Sequence, residues 1–430
     1  MKVDFNQVDW SLRTNIYEVN VRQYSEKGTL AGFREHMPRL AEMGIETLWF
    51  MPLTPISVKN RKGSLGSYYA CSSYVEISEE FGTAAEFREI VKYAHDLGMK
   101  VIVDWVANHT GCDHEWTLEH PDFYKRDNAG NFYDSHGWDD VIDLDYNNQE
   151  MRLEMIRSMR FWLQEFNLDG FRCDMAMLTP LDFWLQARLA LEENHKLFWL
   201  AELDPLDNPD YVQVFDAAYT WRWMNTTKQC ADQGALHIHD MRAVLDLYGE
   251  SRFNAFCPAW FTSNHDENSW NGTEDEKYGE MVIPLAVFSA TWKGVPLMYS
   301  GQELPNPKRL AFFDHDPIDW SRPSYRHDFY KQLLGLRRRN DAFCMSDVAS
   351  ACCQTWNSVD HHVLTFFRKG QSGTAFIAIN FSPWTLDHVE VDTTLFAGLY
   401  EDAFTGVSRQ FNVENKVIQL QPWGYQVWLK

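Results

Sequence analysis

Short apolar runs closed by polar residues alternate with amphipathic stretches over roughly the first 340 residues, the pattern of strand and helix units around a parallel sheet. The runs predict strands at Ile16 to Val21, Thr47 to Met51, Val101 to Asp104, Gly170 to Cys173, Leu197 to Ala201, Val214 to Ala217, Trp260 to Thr262 and Pro296 to Tyr299. Helical apolar spacing lies between them at Phe33 to Met43, Ala85 to Leu97, Glu150 to Phe166, Leu181 to Glu193, Ile238 to Leu247, Tyr278 to Thr291 and Tyr325 to Arg339. Eight such units match a closed (β/α)8 TIM barrel, in which functional groups gather where the strands end.

One connection breaks the rhythm. Thr110 to Tyr146, after the third strand, is rich in Asp, His, Asn and Gly and shows little periodicity, and long loops in compact domains are usually functional. Beyond Asn340 the pattern turns to alternating strands, such as Val363 to Phe367, Thr374 to Asn380, His388 to Val391 and Tyr425 to Leu429. The expected division is therefore a barrel over 1–109 and 147–342, an inserted loop domain over 110–146, and a C-terminal antiparallel β-sandwich over 343–430. Trp384, Trp423 and Trp428 of that last domain are candidate glycan platforms, beside the plainer reading of the domain as a stabilising module.

Composition narrows the function classes. Of 430 residues, 45% are hydrophobic and 23% charged, which suggests neither disorder nor a membrane span. The formal net charge of −22 argues against nucleic acid, because binding phosphates needs clustered Lys and Arg. Eight cysteines without CxxC spacing read as reduced thiols. The opening MKVDFNQVDW has no apolar core of a secretory signal, so a cytoplasmic location is expected.

The polar residues closing the strands carry the chemistry. They are Asp104 with Asn108 and His109 in DWVANHT, Arg172 and Asp174 in GFRCDMAM, Glu202 in WLAELDP, and His265 with Asp266 in FTSNHDEN. Any one carboxylate there reads as a cap or a surface ion pair, but together they converge on one face. A zinc or iron centre is the competing reading; against it, the strands offer no His-x-His pair and no clustered thiols. Retaining glycosidic cleavage needs a nucleophilic carboxylate and a protonated one about 5 to 5.5 Å apart, a spacing that neighbouring barrel strands can supply. Asp174 and Glu202 close the fourth and fifth strands, and Arg172, two residues before Asp174, points the same way.

These motifs resemble, in order, those of the α-amylase family, glycoside hydrolase family thirteen. GIETLWFMP (Gly44 to Pro52), DWVANH (Asp104 to His109), GFRCD (Gly170 to Asp174), the Glu202 position, FTSNHD (Phe261 to Asp266) and GVPLMYSGQE (Gly294 to Glu303) carry the resemblance. It implies Asp174 as nucleophile, Glu202 as general acid/base and Asp266 as transition-state stabiliser. Tyr69, His109, Arg172 and His265 would contact the sugar at the reacting subsite. No cofactor is implied as required; Asn108 matches the asparagine that often binds structural calcium. The implied partner is an oligosaccharide. Met177 and Leu178 replace a common Lys-His pair, so contacts to the leaving group should differ, and Ser73 replaces a common Asp. The expected activity is hydrolysis of α-1,4-linked maltooligosaccharides or related short α-glucans. Two alternatives stay open: a transglycosylase sharing the covalent intermediate, and a non-catalytic carbohydrate-binding barrel.

Overall fold

A computed structural model of the protein describes residues 5, 7–193, 195–232, 238–250, 253, 256–345 and 351–430. The first four residues, and 346–350 next to the expected start of the C-terminal domain, lie outside them. Eight parallel strands close a barrel: β1 (Ile16–Val19), β2 (Thr47–Phe50), β3 (Lys100–Trp105), β4 (Gly170–Cys173), β5 (Phe198–Ala201), β6 (Ala217–Tyr219), β7 (Cys257–Trp260) and β8 (Val295–Tyr299). They follow one another in chain order around the ring, and β8 pairs with β1.

Every strand but β3 is buried along its whole length, as a sheet covered on both faces requires. Two predicted strands are displaced. β6 begins where Val214 to Ala217 was expected to end, and β7 precedes most of Trp260 to Thr262. The register explains the second, since Ala217 pairs with Cys257 and Ala259 with Val295, so Phe261 and Thr262 run past the ladder.

The helices follow local signals. Thr83 forms a capping box with Glu86 at the start of Ala84–Asp96, and Asn148 caps Gln149–Phe166, which ends on a left-handed Asn167. The stretch Phe33 to Met43, expected as one helix, is two: Leu30–Arg34 and Met37–Met43, the second with Pro38 in its first turn, which has no N–H to extend the first. Trp221–Asp232 is a helix that no expectation covered; its Thr and Asn are weak helix formers, yet Trp223, Met224, Thr227 and Cys230 bury one face.

The insertion after β3 pairs a short strand His109–Gly111 with Val141–Asp143, anchoring the loop at both ends. The C-terminal region forms a six-stranded antiparallel sheet and a two-stranded ribbon (Leu386–Glu390 with Val417–Leu420) around a core that includes Phe376, Phe396 and Phe411. It is joined to the barrel by Arg368, whose guanidinium donates to the carbonyls of Thr291 and Cys344, and by Trp292 against Phe366. Of the three tryptophans considered as platforms, only Trp384 is exposed. No helix among the described residues is long and apolar enough to cross a membrane.

Candidate active site

The strand ends converge on a cavity of about 480 Å3. Asp174, Glu202 and Asp266 line it, with Tyr69 and His109 beside them. Asp174 and Glu202 follow the paired residues Cys173 and Ala201, so the two carboxylates are neighbours across the β4–β5 ladder.

One guanidinium organises the floor. Arg172 is fully buried and donates through Nη1 to Asp174 Oδ1 (2.9 Å) and Asp104 Oδ1 (2.8 Å), and through Nη2 to Glu202 Oε2 (2.7 Å). Its carbon Cζ lies 4.8 Å above the Trp49 ring, which holds the fork flat beneath the cavity. Glu202 Oε2 also accepts from the backbone N–H of Met175 (3.0 Å). Met175 adopts a left-handed conformation (φ 36°), an uncommon state for a side-chain-bearing residue, and it aims that N–H at Glu202.

More carboxylates gather here than cations. Burial pushes Glu202 up to about 7, with Asp174 and Asp266 adding to burial and Arg172 opposing it. Burial also raises Asp174, while Arg172 pulls it back. The pair can thus hold one ionised carboxylate in contact with a guanidinium beside one protonated carboxylic acid, the combination needed to attack a centre while protonating its leaving group.

A second network reaches the site from β7. The Tyr69 hydroxyl donates to Asp104 Oδ2 (3.1 Å) and meets His265 Nε2 (2.7 Å), and the two rings stack at 5.3 Å. On its far side His265 Nδ1 lies 2.5 Å from Glu18 Oε1. Burial opposes charge on this imidazole, but Asp266 and Glu18 outweigh burial and raise it to about 9. Burial lowers His109 to about 4, so it is neutral. Arg172 and His265 are buried and do not line the cavity.

On the segment after β4 the structure brings a further residue to the cavity. Met175, not Met177 or Leu178, lines the cavity; the latter two are half-buried on the turn that follows. Ser73 lies away from it and donates to Glu115. The calcium expectation at Asn108 does not fit the donor set. Asn108 Nδ2 approaches His109 Nδ1 and its carbonyl accepts from Leu144, while the nearby Asp143 is already neutralised by the ammonium of Lys125 at 3.0 Å. Among the described residues no group of three or more His, Cys, Asp or Glu is arranged to hold a metal ion, whereas calcium takes six to eight oxygens.

Several site residues escaped the sequence reading. Glu18 was open to the same rule as the others, being a carboxylate inside the apolar run IYEV. Trp138, Asp140 and Phe312 line the cavity from irregular loops, and Trp270 from a single π-helical turn (Glu267–Asn271), where no periodicity marks them.

Comparison with known proteins bears on the family and the fold. The family model described as "Alpha amylase, catalytic domain" matches residues 12–136 and 121–182, and "Alpha amylase, C-terminal all-beta domain" matches 356–428. A solved structure of a noncanonic maltogenic alpha-amylase, AmyB from Thermotoga neapolitana, superposes with a TM-score of 0.87 at 28% identity, covering 97% of this chain and 98% of that one. Alpha-amylase 2 of Dictyoglomus thermophilum is 22% identical over 98% of this chain and 76% of its own length. The 1,4-alpha-glucan branching enzyme GlgB of Bacillus cereus is 25% identical over 94% of this chain and 68% of its own length.

Proposed function

Because this chain belongs to the α-amylase family of α-glucan-active enzymes, we propose that it hydrolyses α-1,4-linked maltooligosaccharides or related short α-glucans with retention of configuration. Asp174 attacks the anomeric carbon and forms a covalent glycosyl ester as Glu202 gives its proton to the departing oxygen. Glu202, now ionised, takes a proton from water, which attacks the same carbon and releases Asp174. Asp266 grips sugar hydroxyls as the ring flattens, and Tyr69 stacks against the ring.

The observation that carries the reading is the shared Arg172 fork. It holds Asp174 ionised at 2.9 Å, and the same guanidinium fixes Glu202 at 2.7 Å although burial keeps that acid protonated up to about 7. Retention is tested by following product anomers by NMR early in a maltooligosaccharide digest. The α-anomer should appear first; a β-anomer would mean inversion and remove Asp174 from the nucleophile's role.

Transfer to a sugar acceptor is the second reading, supported by the similarity to a branching enzyme and by the apolar Met175 beside Glu202. Products longer than the input oligosaccharide would favour it. A cytoplasmic setting is supported by the eight cysteines, none of them in a disulfide and six of them buried.

A further inference from the structure

We propose that the Lys62–Asp140 ion pair ends the catalytic cavity on its glycone side and confines cleavage to the region near the non-reducing end of an α-glucan chain. The inference rests on the hydrolase reading above and specifies which chain ends that site accepts.

The order of strands around the ring sets the direction. Glu202 follows β5 and must face the departing sugar, so the glycone runs from Asp174 toward the opposite arc, where the loops after β8, β1 and β2 rise. Lys62 stands on the loop after β2, and Phe313 on the segment after β8. Asp140 reaches the same place from the insertion after β3. Lys62 Nζ lies 2.8 Å from Asp140 Oδ1, and both side chains line the cavity. The Asp140 carboxylate is 7% exposed, whereas Lys62 is 36% exposed, leaving ammonium protons free to meet the hydroxyls of a terminal sugar.

The pair belongs to a wall tied down on both flanks. On one side Asp113 accepts the backbone N–H groups of Val58 (3.0 Å) and Lys59 (2.8 Å), and Asn60 Nδ2 donates to the Asp139 carbonyl (3.0 Å). On the other, the backbone N–H and hydroxyl of Ser64 bond Asp314 Oδ1 (2.8 and 2.6 Å), and Leu65 N–H bonds the Phe313 carbonyl (3.0 Å). Gly63, at φ +61°, presses so close that a Cβ there would come 2.5 Å from Phe313 Cβ. Beyond the wall lies a separate open groove of about 580 Å3, lined by Asn60, Arg126 and Tyr133, which shares only Trp138 and Val141 with the cavity. The two hollows meet at Trp138 and Val141, and Asp140 lies between those residues in the chain.

The test compares p-nitrophenyl α-maltoheptaoside with the same compound blocked at its non-reducing end by a 4,6-O-ethylidene group, with products separated by chromatography. The wild-type enzyme should cleave the free compound at least fiftyfold faster. Lys62→Ala and Asp140→Asn, each checked by melting temperature, should narrow that preference at least tenfold and lengthen the first product released. Equal wild-type rates on the two compounds overturn the proposal without any variant, and so do folded variants that keep the wild-type ratio. Absence of turnover on both compounds would instead overturn the hydrolase reading, and this inference with it.

Discussion

Glu18 Oε1 and His265 Nδ1, brought together from the ends of β1 and β7, lie 2.5 Å apart behind the cavity. Glu18 does not itself line the cavity; it positions His265, whose other nitrogen meets the Tyr69 hydroxyl. Replacing Glu18 by Gln keeps a hydrogen-bond acceptor and removes the charge that helps raise His265 to about 9. The imidazole should then lose its proton at a lower pH. The kcat/KM of Glu18→Gln should fall about tenfold at pH 8 and little at pH 5.5, with the His265 ring nitrogens shifting to the neutral form in NMR spectra. A uniform loss across pH would mean that Glu18 only packs the site.

Asp174 is the one lining carboxylate that the structure puts in direct contact with Arg172 through an oxygen shared with no other donor. Asp174→Asn keeps the size of the side chain and can still accept from the guanidinium. Turnover should fall by several orders of magnitude while the melting temperature stays within a few degrees, since nucleophilic attack needs the charge. Substantial residual activity would sink the nucleophile assignment.

The carboxylates and the barrel were legible for the same reason. Apolar runs closed by a carboxylate, as in GFRCD and WLAEL, put that charge at a strand's end, and that end is where a barrel builds its site. Thus Asp174, Glu202 and Asp266 were found together. What escaped depends on tertiary reach. Lys62 and Asp140 come from two loops without periodicity and become partners only when both insertions fold over the same strands. Met175 carried no signal because the left-handed turn that brings it to the cavity has no signature in DMAML. The helix Trp221–Asp232 was hidden by weak formers whose burial supplies what propensity lacks.

Backbone closeness at the fourth strand gives a stability prediction. Gly170 carries φ +158°, and a Cβ there would stand 2.0 Å from the Phe198 carbonyl oxygen of β5. The clash is with backbone in the ladder that carries Asp174 and Glu202, so it cannot be relieved by turning a side chain. Gly170→Ala should cost at least about 1–3 kcal/mol by denaturant melts and lower kcat by moving the two carboxylates. A variant as stable and as active as the parent would show that the β4–β5 ladder yields more than its close packing allows.

The pH profile ties these groups together. Glu202 must be protonated to assist departure, and burial sets its loss of a proton at about 7, so kcat/KM should decline above that value. Asp174 must be ionised, and it is raised by burial, with Asp104 adding to the rise. Asp104→Asn removes that neighbouring charge and leaves Arg172 freer to pair with Asp174, so both effects lower the Asp174 pKa. The acidic limb should move down by on the order of half a unit, while the alkaline limb, governed by burial of Glu202, should move less. Measuring kcat/KM from pH 4 to 9 for both proteins checks the two limbs separately. An acidic limb that moves upward in Asp104→Asn would mean that Asp104 holds Arg172 in place for Asp174 more strongly than its charge opposes ionisation.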